Sequence, residues 1–142
     1  MIQNITIGAD PELFLINEKT GKVVSAIGII PGEKGNPWVG PGMTEGYGME
    51  IDNILAEFNI PPAKTKEEFT NSIFFMLEYI DKFVKDVNPD LGTLCIASQI
   101  VDEDQLQHPI AKLFGCSISY NAYTEEPNEK PKGDKTCLRS AG

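Results

Sequence analysis

The chain has 142 residues, of which 41% are hydrophobic, and a formal net charge of -9. This length suits one domain with a real core and is short for two. The acidic balance disfavours binding to a phosphate backbone, so we expect no nucleic-acid partner. No apolar run approaches the roughly 18 to 20 residues that span a bilayer, and the N-terminus lacks a basic region followed by an apolar one. We therefore expect a cytoplasmic protein with no membrane partner.

Cysteine and histidine usage excludes several kinds of site. The three cysteines, Cys95, Cys116 and Cys137, are odd in number and have no CxxC spacing. Neither a disulfide framework nor a zinc knuckle is indicated. His108 is the only histidine and precedes Pro109, so nucleophile schemes of the Cys-His or Ser-His type would all depend on this one residue.

The N-terminal segment predicts a β-hairpin. Apolar residues at odd positions indicate a strand from Asn4 to Ile16, with a local disturbance around Pro11. The segment "NEKTGK" supplies turn residues, and the apolar run from Val23 to Ile30 predicts the returning strand.

A glycine-rich loop follows the hairpin. Seven glycines and three prolines lie between Gly28 and Gly48, a density that disfavours regular structure. The loop matches neither GxxxxGK[ST] nor GxGxxG, so it does not support a Walker or Rossmann phosphate site. Trp38 in the loop either packs back on the body of the domain or offers a stacking surface for a ligand.

The middle of the chain predicts a third strand and one long helix. Ile54 to Ile60 is typical of a strand, and Pro61 and Pro62 end it. Thr65 and Glu68 have the spacing of a capping box, and apolar residues then recur at steps of three and four as far as Val87. We expect this amphipathic helix to pack against a sheet.

The C-terminal third predicts shorter elements. They are a fourth strand over Thr93 to Val101, a short helix interrupted by Pro109, a short strand around Ile118 to Tyr123 and a β-like end in "TCLRSAG". This order of elements indicates an α+β domain with a largely antiparallel sheet and one long amphipathic helix packed on it.

Three acids on the predicted strands form a candidate metal patch. Asp10 and Glu12 are two residues apart, so on a regular strand they would share a face at about 7 Å, and Glu57 would join them from another strand. Gathered carboxylates repel each other unless a cation neutralises them, and carboxylate oxygens suit Mg²⁺. Each acid also has a local alternative. Asp10 could be a turn acid before Pro11, Glu12 an exposed edge charge, and Glu57 part of the polar face of a half-exposed strand.

Other polar residues have two interpretations each. Asp52 and Asn53 either form an Asx turn or contribute a cap or a ligand. Arg139, among small neighbours, either pairs with an acid on a strand or binds a phosphate or carboxylate with two hydrogen bonds.

Four segments, taken in order, resemble the phage amidoligases of the carboxylate-amine ligase type 2 family. They are "IGADPELFL", "DNILAEFNIPPAKTKEEF", "FGCSISYNAYTEEPN" and "LRSAG". That family is similar to the glutamine synthetase and glutamate-cysteine ligase superfamily. The resemblance implies an ATP-dependent ligase in the cytoplasm of an infected bacterial host. Such an enzyme activates a small-molecule or peptide carboxylate as an acyl phosphate, which an amine then attacks to form an amide.

The resemblance also implies roles for particular residues. Glu12 would be the metal glutamate of the first strand, with Asp10 beside it as a further ligand or as a support for the ligand. Glu57 would be the matching acid on the next strand, with Asn59 as its cofactor-binding neighbour. Arg139 would face the substrate or a phosphate of ATP. The implied metal is Mg²⁺ or Mn²⁺, bridging acids and phosphates.

Two departures from the family limit this expectation. Ser117 and Ser119 stand where relatives carry acids, and relatives continue beyond "RSAG" into an HxHxG segment. We therefore expect residues 1–142 to be a single domain that is the N-terminal half of a ligase funnel, incomplete for catalysis as this chain. The alternative is a non-catalytic phage or host-interaction binding module. An unfinished funnel would leave a sheet edge open to pairing with another chain as a homo-oligomer.

Overall fold

A computed structural model describes residues 5–113, 119–129 and 137–142. Within these ranges the chain forms seven strands and one α-helix: β1 Glu12–Asn17, β2 Lys22–Val24, β3 Gly48–Asp52, β4 Leu55–Asn59, α1 Lys66–Val87, β5 Leu91–Leu94, β6 Ser98–Ile100 and β7 Leu138–Ser140. No helix in the described ranges has both the length and the apolar composition needed to cross a membrane. The predicted α+β class is confirmed.

Strand β1 lies at the centre of a curled antiparallel half-barrel. Along one edge of β1, its first two residues pair with β4 and its last three pair with β2. Its other edge pairs with β5. Strand β3 adds to β4 as a hairpin, and β6 and β7 form a separate two-stranded ribbon. A single strand therefore connects most of the sheet.

Helix α1 covers one face of the sheet. The Oγ1 atom of Thr65 accepts a hydrogen bond from the Glu68 N–H at 3.1 Å, which confirms the predicted N-cap. The Glu68 carboxylate accepts from the Lys64 N–H rather than from that of Thr65, so the reciprocal half of the box is shifted by one residue. Buried helix residues pack against the inward residues of β1 and β4: Met76, Ile80 and Val84 against Leu13, Leu15, Ala56 and Phe58.

A smaller apolar cluster lies against the opposite face. Phe14 and Leu55 point away from α1 because they alternate with core residues on β1 and β4. They pack with Val101 and with two short 3-10 helices, Glu103–Leu106 and Pro109–Lys112, which replace the single interrupted helix that the sequence predicts. Only part of this face is therefore covered by apolar contacts.

Several predicted strands have different bounds in the structure. β1 begins at Glu12, because Pro11 has no N–H to contribute to the ladder. The Pro11 carbonyl still accepts from Phe58 on β4, and the Ala9 carbonyl accepts from Ile60 just after β4. The returning strand β2 is only three residues long. The predicted fourth strand is divided into β5 and β6. The strand predicted around Ile118 falls partly outside the described residues; within them, Tyr120 bridges Pro127.

The glycine-rich loop is irregular but fixed to the body of the domain. Trp38 bridges Met49 through its backbone, and its ring lies 5.7 Å from that of Phe83 on α1, so its prediction as an anchor is confirmed. Gly32 has a φ of +91°, and a Cβ there would lie 2.4 Å from the Met49 carbonyl oxygen. Only glycine fits this position without a backbone shift.

We predict that Gly32→Ala destabilises the domain by about 3 kcal/mol or more, because it combines a left-handed φ with a backbone clash. Gly42→Ala is the matched control, since Gly42 has a φ of +85° but no atom within 4 Å of an added Cβ. The control should cost only about 1 kcal/mol. Urea unfolding of both variants checks this, and equal losses would contradict the close approach at Gly32.

Candidate functional site

Four carboxylates share the face of the sheet that α1 does not cover. The β-register places Glu12 opposite Glu57 and Glu57 opposite Glu50, and Asp52 lies two residues after Glu50 on β3. Residues opposite each other, or two apart, project to the same side. Glu50, Asp52 and Glu57 are all buried. Three neighbouring strands therefore gather acids where burial makes ionisation costly.

Three of these acids converge. One carboxylate oxygen from each of Glu12, Asp52 and Glu57 lies within 4.8 Å of the other two. Glu12 is held from the C-terminal end of the described chain: the Gly142 N–H donates to Glu12 Oε2 at 2.6 Å, and the Glu12 N–H donates to the Gly142 carbonyl at 3.0 Å. The last residues after β7 therefore help to fix the acid on β1.

A lysine from the glycine-rich loop neutralises part of the cluster. The Lys34 ammonium donates to Asp52 and, at 2.8 Å, to Glu57 Oε2. The loop is tied down next to it, because the Gly35 N–H donates to the buried Glu50 carboxylate at 2.8 Å. One ammonium contacts two of the three converging carboxylates, so the ionised cluster keeps a net negative charge.

The pKa values of these groups follow from burial and neighbouring charge. Burial raises the pKa of Glu12, and the Asp52 charge raises it further, while the Gly142 N–H and the Lys34 charge lower it only in part. Burial likewise raises the pKa of Glu57, against the lowering effect of Lys34. Burial lowers the pKa of Lys34, but its hydrogen bonds and charge interactions with Asp52 and Glu57 outweigh that effect and hold it above the ordinary value.

The structure brings Glu12 and Glu57 together but leaves Asp10 outside their cluster. Asp10 is exposed and precedes β1, so the alternation that would place it on the same face as Glu12 does not begin until two residues later. Asn59 follows Glu57 by two residues on β4 and so lies on the acidic face. Its Oδ1 atom is buried and has no hydrogen-bond partner within the described part of the chain.

Arg139 is buried in β7 and binds the backbone and the β3–β4 turn. Its guanidinium donates to Asn53 Oδ1 at 2.9 Å and to the Ala111 and Leu138 carbonyls at 2.8 Å each. Asn53 in turn donates to the Leu113 carbonyl at 2.7 Å. Arg139 therefore joins the ribbon to the hairpin beside Asp52, and these contacts show a structural role for it.

The sequence leaves Asp52 open as an Asx-turn residue, a cap or a ligand, does not place it in the metal patch and gives no signal for Lys34. The segment "MEIDNILAEFNI" predicts a single strand over Ile54 to Ile60, whereas it forms the β3–β4 hairpin with a two-residue turn. Asn53 adopts a φ of +57° there without the glycine that usually marks such turns. The alternation of Glu50 with Asp52 before the turn, and of Glu57 with Asn59 after it, was the available signal.

A cavity of about 360 Å³ opens beside the cluster. Asp52 and Lys34 contribute to its wall together with Glu33, Asn53 and apolar side chains, among them Ile110 and Leu113. This size reaches the lower end of the range for small-molecule sites, roughly 300 to 1,000 Å³. The cavity can therefore take a small molecule with a polar end at the cluster and an apolar end near the second 3-10 helix.

The three converging acids fit a hard divalent cation. Carboxylate oxygens are the ligands that Mg²⁺, Mn²⁺ and Ca²⁺ prefer. Two oxygens on one Mg²⁺ lie at most about 4.2 Å apart, given ligand distances of about 2.1 Å. The three carboxylate oxygens lie within 4.8 Å of one another, so holding one Mg²⁺ would require a small contraction of the set.

Comparison of the chain with protein-family models, with curated proteins and with solved structures finds no match in any of the three.

We predict that Glu12→Gln stabilises the metal-free domain at pH 7. The folded-state pKa of Glu12 is raised, so the protonated carboxyl favours the folded state. This contribution to the free energy of unfolding is complete below the unfolded pKa near 4.5, and it is lost as pH rises through the folded-state pKa. Glutamine copies the neutral form and can still accept from the Gly142 N–H. Thermal unfolding in EDTA should give a higher midpoint for the variant at pH 7 and a difference that shrinks towards pH 4. A lower midpoint at pH 7 would contradict the raised pKa.

Proposed function

We propose that this domain belongs to an ATP-dependent carboxylate-amine ligase and that Glu12, Asp52 and Glu57 hold its Mg²⁺ or Mn²⁺ ion. The convergence of three carboxylates from three strands is the observation that supports the metal site. The ordered motifs that resemble phage amidoligases support the ligase chemistry. The bacterial host cytoplasm is proposed on the same resemblance.

The proposed metal would neutralise the cluster and the phosphates of ATP together. Within the chain, the Gly142 backbone orients Glu12, and the β3–β4 hairpin fixes Asp52 and Glu57 relative to each other. Because two of these acids are buried, their rotamers are limited by packing, and a preorganised ligand set results.

Substrate binding is proposed for the cavity beside Asp52. Its polar wall suits a phosphoryl group or an amine near the cluster, and its apolar wall suits the body of a small or peptide carboxylate. Asn59 is proposed to bind the nucleotide or the metal through its unpartnered Oδ1. Arg139 is proposed to act on the substrate indirectly, by fixing Asn53 at the cavity wall.

Metal titration with matched charge changes tests the proposed site. We expect Glu12→Gln, Asp52→Asn and Glu57→Gln each to weaken Mn²⁺ binding about tenfold or more in calorimetry, because each removes a ligand charge. Asp10→Asn removes the same charge outside the cluster and should change affinity by no more than about twofold, since exposed charges are screened. Equal losses in all four variants would show that bulk charge, and not a ligand set, governs binding.

The same proteins, assayed for phosphate release from ATP with a panel of carboxylates and amines, test the catalytic part. Turnover that requires Mg²⁺ and both co-substrates, and that is lost in Glu57→Gln, supports the ligase. The assay should be repeated on a chain extended through any downstream coding sequence. Absence of turnover from both proteins with every combination would count against it.

One contact favours the alternative of a non-catalytic binding module. The Lys34 ammonium already pairs with Asp52 and Glu57, as in a cluster that serves stability alone. Under this alternative, wild-type protein would bind neither Mn²⁺ nor ATP, and the cavity beside Asp52 would accept a partner side chain instead. The metal titration separates the two functions.

A further inference from the structure

Lys34 contributes positive charge to the acidic cluster, and it lies in the glycine-rich loop, whereas the acids lie on the sheet. Its side chain is 45% exposed, whereas those of Asp52 and Glu57 are 9% and 6% exposed. The acids are therefore fixed ligands in the protein interior, while the ammonium reaches them from the cavity mouth. Because the lysine side chain reaches water on one side, its ammonium can leave the acids and be solvated without crossing the protein interior.

The backbone on either side of Lys34 is fixed. Gly32 fits closely against the Met49 carbonyl, and the Gly35 N–H is bonded to Glu50. A backbone bridge between Glu33 and Asn36 closes the turn that carries the lysine. Movement of the ammonium therefore needs only rotation of the lysine side chain and no displacement of the loop.

Charge requires this movement when a metal enters. A divalent cation at Asp52 and Glu57 would lie where the ammonium now donates, and two cations at hydrogen-bond distance repel each other strongly in a partly buried site. Lys34 also lines the cavity, so rotation away from the acids leaves its ammonium at the cavity wall.

We propose that Lys34 is an exchangeable internal cation, which holds the acidic cluster together until a divalent metal displaces it into the cavity. This inference rests on the proposed metal site. It assigns to the glycine-rich loop a specificity role: the lysine competes with metal and so sets the affinity of the site. A weakly bound monovalent cation cannot replace it, since it brings no more charge than the ammonium it would displace.

Two measurements test the exchange. Lys34→Met keeps most of the unbranched side chain, which becomes one heavy atom shorter, and removes its charge. This variant should bind Mn²⁺ about tenfold or more tightly than wild type. Lys34→Arg is the matched control that keeps the charge, and it should not bind more tightly than wild type.

Reductive methylation of wild-type protein, mapped by mass spectrometry, should modify Lys34 faster with Mg²⁺ than with EDTA, while the exposed Lys82 reacts equally in both.

The outcomes distinguish this inference from the metal site itself. Equal Mn²⁺ affinity in wild type and Lys34→Met, with unchanged methylation of Lys34, would overturn the exchange and leave the metal site intact. Absence of Mn²⁺ binding in every protein would overturn both proposals. If Lys34→Met does not fold, the methylation rates in wild type decide: acceleration by Mg²⁺ supports exchange, and equal rates reject it.

Discussion

Mutual repulsion of carboxylates gathered on one sheet face is the constraint on which the rest of this structure depends. Glu12, Asp52 and Glu57 come from three strands, and the register that buries Leu13, Ala56 and Phe58 against α1 necessarily turns these acids to the other side. A shift of the strand pairing by one residue would expose the core side chains and bury the acids beneath the helix. The hydrophobic core thus fixes the position of the acidic cluster. The negative charge of the cluster must be neutralised by a group from outside these three strands.

The glycine-rich loop provides that neutralisation. Its close approach at Gly32 and its bond to Glu50 place Lys34 over the cluster, and Trp38 fastens the following segment to α1. The remaining negative charge is what a divalent cation would bind. Loop, acids and cavity form one connected unit, in which Asp52 and Glu57 hold the loop through Lys34. Under the proposed function the same carboxylates would also be the metal ligands.

The sequence predicted the parts of this unit that depend on local periodicity. The long helix and the antiparallel α+β class follow from apolar spacing and strand alternation. The meeting of Glu12 with Glu57 was one of the alternatives left open by the spacing, and the resemblance of the motifs implied it. Asp52 was open as a turn residue, cap or ligand but was not placed beside Glu12 and Glu57, because the hairpin turn at Asn53 uses no glycine and so hides the boundary between β3 and β4. Lys34 could not be found this way, because its approach depends on a long-range loop contact that no local pattern encodes.

Diffraction from crystals grown with Mn²⁺, recorded at a wavelength where manganese scatters anomalously, would locate a metal ion at the cluster and the position of Lys34 in one experiment. We expect one anomalous peak within ligand distance of Glu12, Asp52 and Glu57, with the Lys34 ammonium turned towards the cavity. A cluster without an anomalous peak at saturating Mn²⁺, with Lys34 still bonded to Asp52 and Glu57, would contradict this expectation.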